Sequence, residues 1–134
     1  VKHHLHGAAC KPLRAPASMY DLFFSVFVPL VAGLTIYRTE QYIRIPAIIR
    51  YYLPDGLWAY AFGSCMLIVW DRRIKWPWII AAMSVSIVYE ACQYYHVIPG
   101  VGELRDVMTY LSFFSLALLS NCFLKRLYTS SQNA

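Results

Sequence analysis

"IVYEACQYYHVIPGVGELRDVMTYL", residues Ile87–Leu111, joins the end of one apolar stretch to the start of another through a short turn at Pro99 and Gly100. The apolar residues on either side show no strict alternation, so the stretch reads as two helices with a tight connection. It also contains groups that are costly to bury. Glu90 and Gln93 lie three residues apart in the first helix, and the pair Arg105 and Asp106 opens the second. Ser86, Glu90 and Gln93 share one face by their i, i+4, i+7 spacing. Asp106, Thr109, Tyr110 and Phe113 share another, so the two faces can oppose each other across the turn.

The rest of the chain explains why that polarity is unusual. Of 134 residues, 59% are hydrophobic and only 14% charged, with a mean hydropathy of +0.45. A soluble domain carries roughly a quarter charged residues. The net charge of +5 comes from Lys and Arg scattered between apolar runs rather than gathered on one face, which argues against a nucleic-acid partner. The composition is that of an integral membrane protein, with the lipid bilayer as its principal partner.

Four apolar spans can be placed, at about 19–37, 53–70, 76–95 and 107–124. At about 1.5 Å per residue the first is roughly 28 Å long, close to the thickness of a bilayer core. The expected fold is all-α, a single domain over residues 1–134 forming a four-helix transmembrane bundle. A short interfacial segment broken by Pro46 is expected between spans 1 and 2, with Pro54 and Asp55 in the first turn of span 2. There the free N–H groups of a helix start would account for the Asp55 carboxylate. Ala59 and Gly63, four apart, allow close approach of a neighbouring helix.

Basic residues set the expected orientation. Lys2, Lys11, Arg14, Arg72, Arg73, Lys75, Lys125 and Arg126 fall on the side of the termini, while Arg38, Arg44, Arg50 and Arg105 fall on the other. The positive-inside tendency therefore puts both termini in the cytoplasm. Trp70, Trp76 and Trp78 flank the second connection, at the depth where interfacial tryptophans collect. Asp55, Glu90, Gln93, Arg105 and Asp106 then converge at the outer face. Glu90, about 8 Å inside the boundary, needs a partner or a wet cavity, and Arg105 is the obvious neutralising cation, with Arg44 and Arg50 in reserve.

No metal and no cofactor is expected. His3, His4 and His6 have no carboxylate beside them, and Cys10, Cys65, Cys92 and Cys122 show none of the spacings of zinc or redox sites. No apolar stretch precedes "HGAAC", so a signal peptide is not expected there. Phosphate loops, nucleophile elbows and HExxH patterns are absent.

At Glu90, Gln93 and Asp106, together with "LPDGLWAYAF" at the second span, the chain resembles the VanZ-like family of small bacterial membrane proteins, over roughly residues 52–120. The resemblance implies a four- or five-helix bundle in the bacterial plasma membrane. It places Glu90 and Gln93 at the family's Glu and Gln, and Asp106 at the Asp that opens the last span. Tyr110 and Phe113 stand where the family often has Asn and Gly, and Arg105 is adjacent to the Asp where the family's Arg lies well before it.

Two roles follow as expectations. In one, the polar cluster binds or acts on a cell-envelope lipid or glycan, such as a lipid-linked sugar, with Glu90 as proton acceptor. In the other, the protein is a noncatalytic accessory or structural subunit of a membrane complex. Glu90 and Gln93 would then clamp helices through hydrogen bonds worth on the order of 0.6 to 2 kcal/mol each. A cavity lined by Glu90, Gln93 and Asp106 distinguishes the first role from close filling by Tyr110 and Phe113.

Overall fold

The computed structural model describes residues 15–39 and 42–132, and the side chains at 19–39 and 42–125. The histidines at the amino terminus and Cys10 lie outside the described residues. Within them all regular structure is helical, as expected for an all-α chain. The helices are α1 (Ala15–Leu22), α2 (Val28–Thr39), α3 (Ala47–Val69), α4 (Trp76–Tyr94) and α5 (Leu104–Gln132).

A π-helical turn, Phe23–Phe27, fuses α1 and α2 into one rod. Its cause lies just downstream at the buried Pro29. Proline has no N–H and its ring clashes with the carbonyl four residues back, here that of Ser25. The backbone widens by one residue, and the Val28 N–H donates to the Phe23 carbonyl.

Helix α3 begins at Ala47, with Pro46 as its N-cap. This corrects the expected separate interfacial segment: residues 47–52 are the first turns of α3. Only 42–46 lie outside a helix in the described part of this connection. Pro54 is correspondingly a buried interior proline, and Asp55 sits in the third turn. The helix-terminus explanation for its carboxylate therefore fails, because the orphan N–H groups belong to the first four residues.

Helix α3 packs between α2 and α5, and small residues set the spacing. A Cβ at Gly33 would lie 2.7 Å from Trp58 Nε1, and one at Gly63 would lie 3.2 Å from the Phe114 ring. At Gly56 it would meet the Phe113 ring at 2.5 Å. Helix α4 leans mainly on α5 and buries only Ile79 and Glu90.

The distribution of polarity is inverted relative to a water-soluble domain. The buried apolar residues are Ala61, Leu67, Ile79, Phe114 and Ala117, and they share the interior with Ser64, Glu90 and Asn121. Large apolar side chains such as Met19, Phe24, Val85 and Leu119 face outward, each more than 60% exposed. Two helical stretches, Met19–Thr39 and Leu104–Lys125, are long and apolar enough to cross a membrane. Helices α3 and α4, of 23 and 19 residues, are not among those two stretches.

Candidate functional site

The turn between α4 and α5 determines which polar groups meet. His96, at φ 56°, and Gly100, at φ 136°, take left-handed backbone conformations, and the Val97 N–H closes the end of α4 by donating to the Cys92 carbonyl at 2.8 Å. Gly102 then passes directly over α4. A Cβ there would come within 2.4 Å of the Tyr94 nitrogen and 2.5 Å of the Glu90 carbonyl. Close passage of the chain brings the start of α5 beside the last turns of α4.

Three carboxyls from three helices collect at this end: Asp55 from α3, Glu90 from α4 and Asp106 from α5. Glu90 acts electrostatically on both of the others, and Asp55 on Asp106. Glu90 is 6% exposed. One of its oxygens accepts a hydrogen bond from the Tyr110 hydroxyl at 3.4 Å, which is long for an O–H···O bond. The other, Oε2, is buried and has no hydrogen-bond partner. Among the described residues no basic side chain pairs with any of the three carboxyls.

The remaining two expected members lie elsewhere. Gln93 folds back over the turn and donates to the Pro99 carbonyl at 3.4 Å, with its amide against Gly100. It braces the connection rather than joining Glu90. Arg105 is exposed beside Tyr52 and Glu103, whose own hydrogen bond is 3.0 Å. The cation expected to neutralise Glu90 is therefore exposed, beside Tyr52 and Glu103. Arg105 and Asp106 are consecutive in α5 and so point about 100° apart.

Tyr110 and Phe113 occupy the space around the carboxyls. Phe113 lies on Gly56, and Tyr110 lies against Glu90. A small cleft of about 40 Å³, open to the outside, lies instead one layer further along the helices. It is bounded by α3, α4 and α5 and reaches Tyr110 and Ser86 at its polar end. No group of three or more His, Cys, Asp or Glu side chains among the described residues could hold a metal ion, so the three carboxyls are neighbours in charge rather than a shared coordination sphere.

A second polar cluster, missed in the sequence, lies toward the opposite end of the bundle. Arg72 pairs with Asp21, donates to Asn121 Oδ1 at 3.1 Å, and accepts from Asn121 Nδ2 on its backbone carbonyl at 3.4 Å. These contacts hold Asp71 and Arg72, both at φ 55°, in the turn between α3 and α4. The available signal was Asn121, an amide in an otherwise apolar run. Here the buried charge is paired, whereas Glu90 Oε2 has no partner.

Comparisons with protein-family models, with curated proteins and with solved structures give no match to this chain.

Proposed function

We propose that this chain is a multi-pass protein of the bacterial plasma membrane, with four spans and cytoplasmic termini. Its Glu90 end binds the polar group of a cell-envelope lipid or glycan from the outer face. The outward-facing large apolar side chains support the bilayer setting, because lipid solvates them and small residues bring the helices together. The arrangement of basic residues supports the orientation. Glu90 and Asp106, which carry the resemblance to the VanZ-like family, are members of the cluster.

The observation that carries the reading is the buried Oε2 of Glu90, which has no hydrogen-bond partner and no paired basic side chain among the described residues. A buried carboxylate of this kind costs several kcal/mol unless a group of opposite charge or a strong donor meets it. Tyr110 and Phe113 fill the space around the carboxyls, which weighs against catalysis there and counts toward the noncatalytic role. A noncatalytic subunit is the second reading, favoured by the apolar face of α4, where Val85, Ile87 and Val88 are exposed and free to meet a partner helix.

The experiment is mass-spectrometric profiling of the lipids that co-purify with the wild-type protein and with Glu90→Gln in mild detergent. Enrichment of one envelope lipid or glycolipid over its membrane abundance, lost in the folded variant, is the expected result. Identical bulk-like profiles for both would overturn the binding role.

A further inference from the structure

We infer that the Arg72 end of the bundle contains a binding site for a single water molecule, which joins the π-helical turn to α3 and α5. The site is a cavity of about 10 Å³ lined by Ser25 of the π-helical turn, Tyr60 and Ser64 of α3, Arg72, and Ser120 and Asn121 of α5. It lies apart from the Glu90 end and does not depend on the binding role proposed there.

Unused hydrogen-bonding capacity is the first argument. A helical Ser or Thr in an apolar setting can turn its hydroxyl back to the carbonyl four residues earlier. Thr35, Ser86, Thr109 and Ser112 all do so, at 2.7 to 3.4 Å. The hydroxyls at the cavity do not: among the described residues, Ser25, Tyr60, Ser64 and Ser120 make no side-chain hydrogen bond. Ser64 is the deepest of the four, at 6% exposed, and a buried hydroxyl with no partner is costly. The backbone adds an acceptor to the same region. Pro29 has no N–H, so the carbonyl of Ser25 lacks the donor that an α-helix supplies four residues on.

Size and charge select the ligand. A cavity of about 10 Å³ admits one water and nothing larger, and a buried water takes roughly two to four polar partners. The charge of Arg72 is paired with Asp21, so the site has no net charge with which to draw in an ion. Asn121 already meets Arg72 through both ends of its amide, yet its oxygen keeps a lone pair and its nitrogen a second hydrogen. Hydroxyls both donate and accept, and so does water, whereas an ammonium only donates and a halide only accepts. A bridging water is nearly as favourable as a direct bond. The widened turn is thereby tied to the two helices beside the Arg72–Asn121 pair.

The test uses the full chain in nanodiscs, exposed to short X-ray pulses that turn both bulk and bound water into hydroxyl radicals, which label tyrosine. Tyr42, 85% exposed, reports on bulk water, and Tyr60 reports on the site. A radical scavenger in the buffer is expected to suppress labelling of Tyr42 and spare Tyr60, raising the ratio of Tyr60 to Tyr42 labelling at least threefold. Ser64→Val fills the site with methyl groups and is expected to abolish that rise, with Ser120→Leu serving if the Val variant fails to fold. Parallel suppression of both tyrosines in wild type, or the same rise in a folded filled variant, would overturn the water site. Thermal melts supply an independent sign. Ser64→Ala should lower the midpoint, because a bonded hydroxyl is lost; a raised midpoint would show a hydroxyl with no partner to lose and would overturn the site as well.

Discussion

Replacing Glu90 by Gln removes one charge from the cluster and keeps both the shape and the oxygen that Tyr110 uses. The effect on stability should change sign with the lipid present. Two unit charges 4 Å apart interact by about 4 kcal/mol at an effective dielectric of about 20, and the interaction falls as 1/r. Asp55 and Asp106 lie within the field of Glu90 but make no hydrogen bond to it. Each therefore contributes repulsion on the order of 1 to 2 kcal/mol. Part of the relief is offset by burying an imperfectly bonded amide. In delipidated detergent Glu90→Gln should thus be more stable than wild type by about 1 to 2 kcal/mol. Addition of the envelope lipid that co-purifies with the protein, at a hundred times its dissociation constant, should stabilise the wild type by about 2.7 kcal/mol and leave the variant unmoved. Reversible unfolding, followed by tryptophan fluorescence with and without the lipid, reads both quantities. If delipidated Glu90→Gln is less stable than wild type by more than about 1 kcal/mol, the Glu90 carboxylate already has a stronger partner than Tyr110 and the reasoning fails.

Other consequences are local to the helix contacts. Asn121→Leu removes both hydrogen bonds to Arg72 and should cost about 1 to 3 kcal/mol, with faster amide hydrogen exchange over the turn at 70–75. Gly56→Ala places a methyl against the Phe113 ring and should destabilise by about 1 to 3 kcal/mol, a loss that Phe113→Leu in the same chain reduces in a thermal melt. Gln93→Leu loses one long hydrogen bond to the Pro99 carbonyl, so stability should fall by no more than about 1 kcal/mol. Lipid retention should persist, because Gln93 stands outside the acidic cluster.

Much of the helical layout was legible from apolar patterning, including the third apolar stretch, expected at 76–95 and helical over Trp76–Tyr94. The burial of Glu90 also followed from its place in an apolar helix near a turn. The start of α3 did not. Pro54 next to Asp55 looks like a helix beginning, because proline suits a first turn; only the packing of α3 between α2 and α5 makes an interior proline acceptable. The role of Gln93 depended on the path of the turn, where Gly100 and Gly102 bring the backbone back over α4. The Asp21–Arg72–Asn121 cluster joins residues distant in sequence. Arg72 read as one of several loop cations, and no local spacing could assign its partners.

The disposition of the two turns is the point on which the site depends, since a headgroup can reach Glu90 from the outer leaflet only if the α4–α5 turn is outside. In a chain with Cys10, Cys65, Cys92 and Cys122 replaced by serine or alanine, a single cysteine at Val101 or at Arg73, both exposed, can be challenged in intact cells with a membrane-impermeant maleimide. Val101→Cys should be labelled from outside, and Arg73→Cys only after the membrane is opened. Labelling of both from the same side would contradict the four-span arrangement and the outward-facing acidic site together.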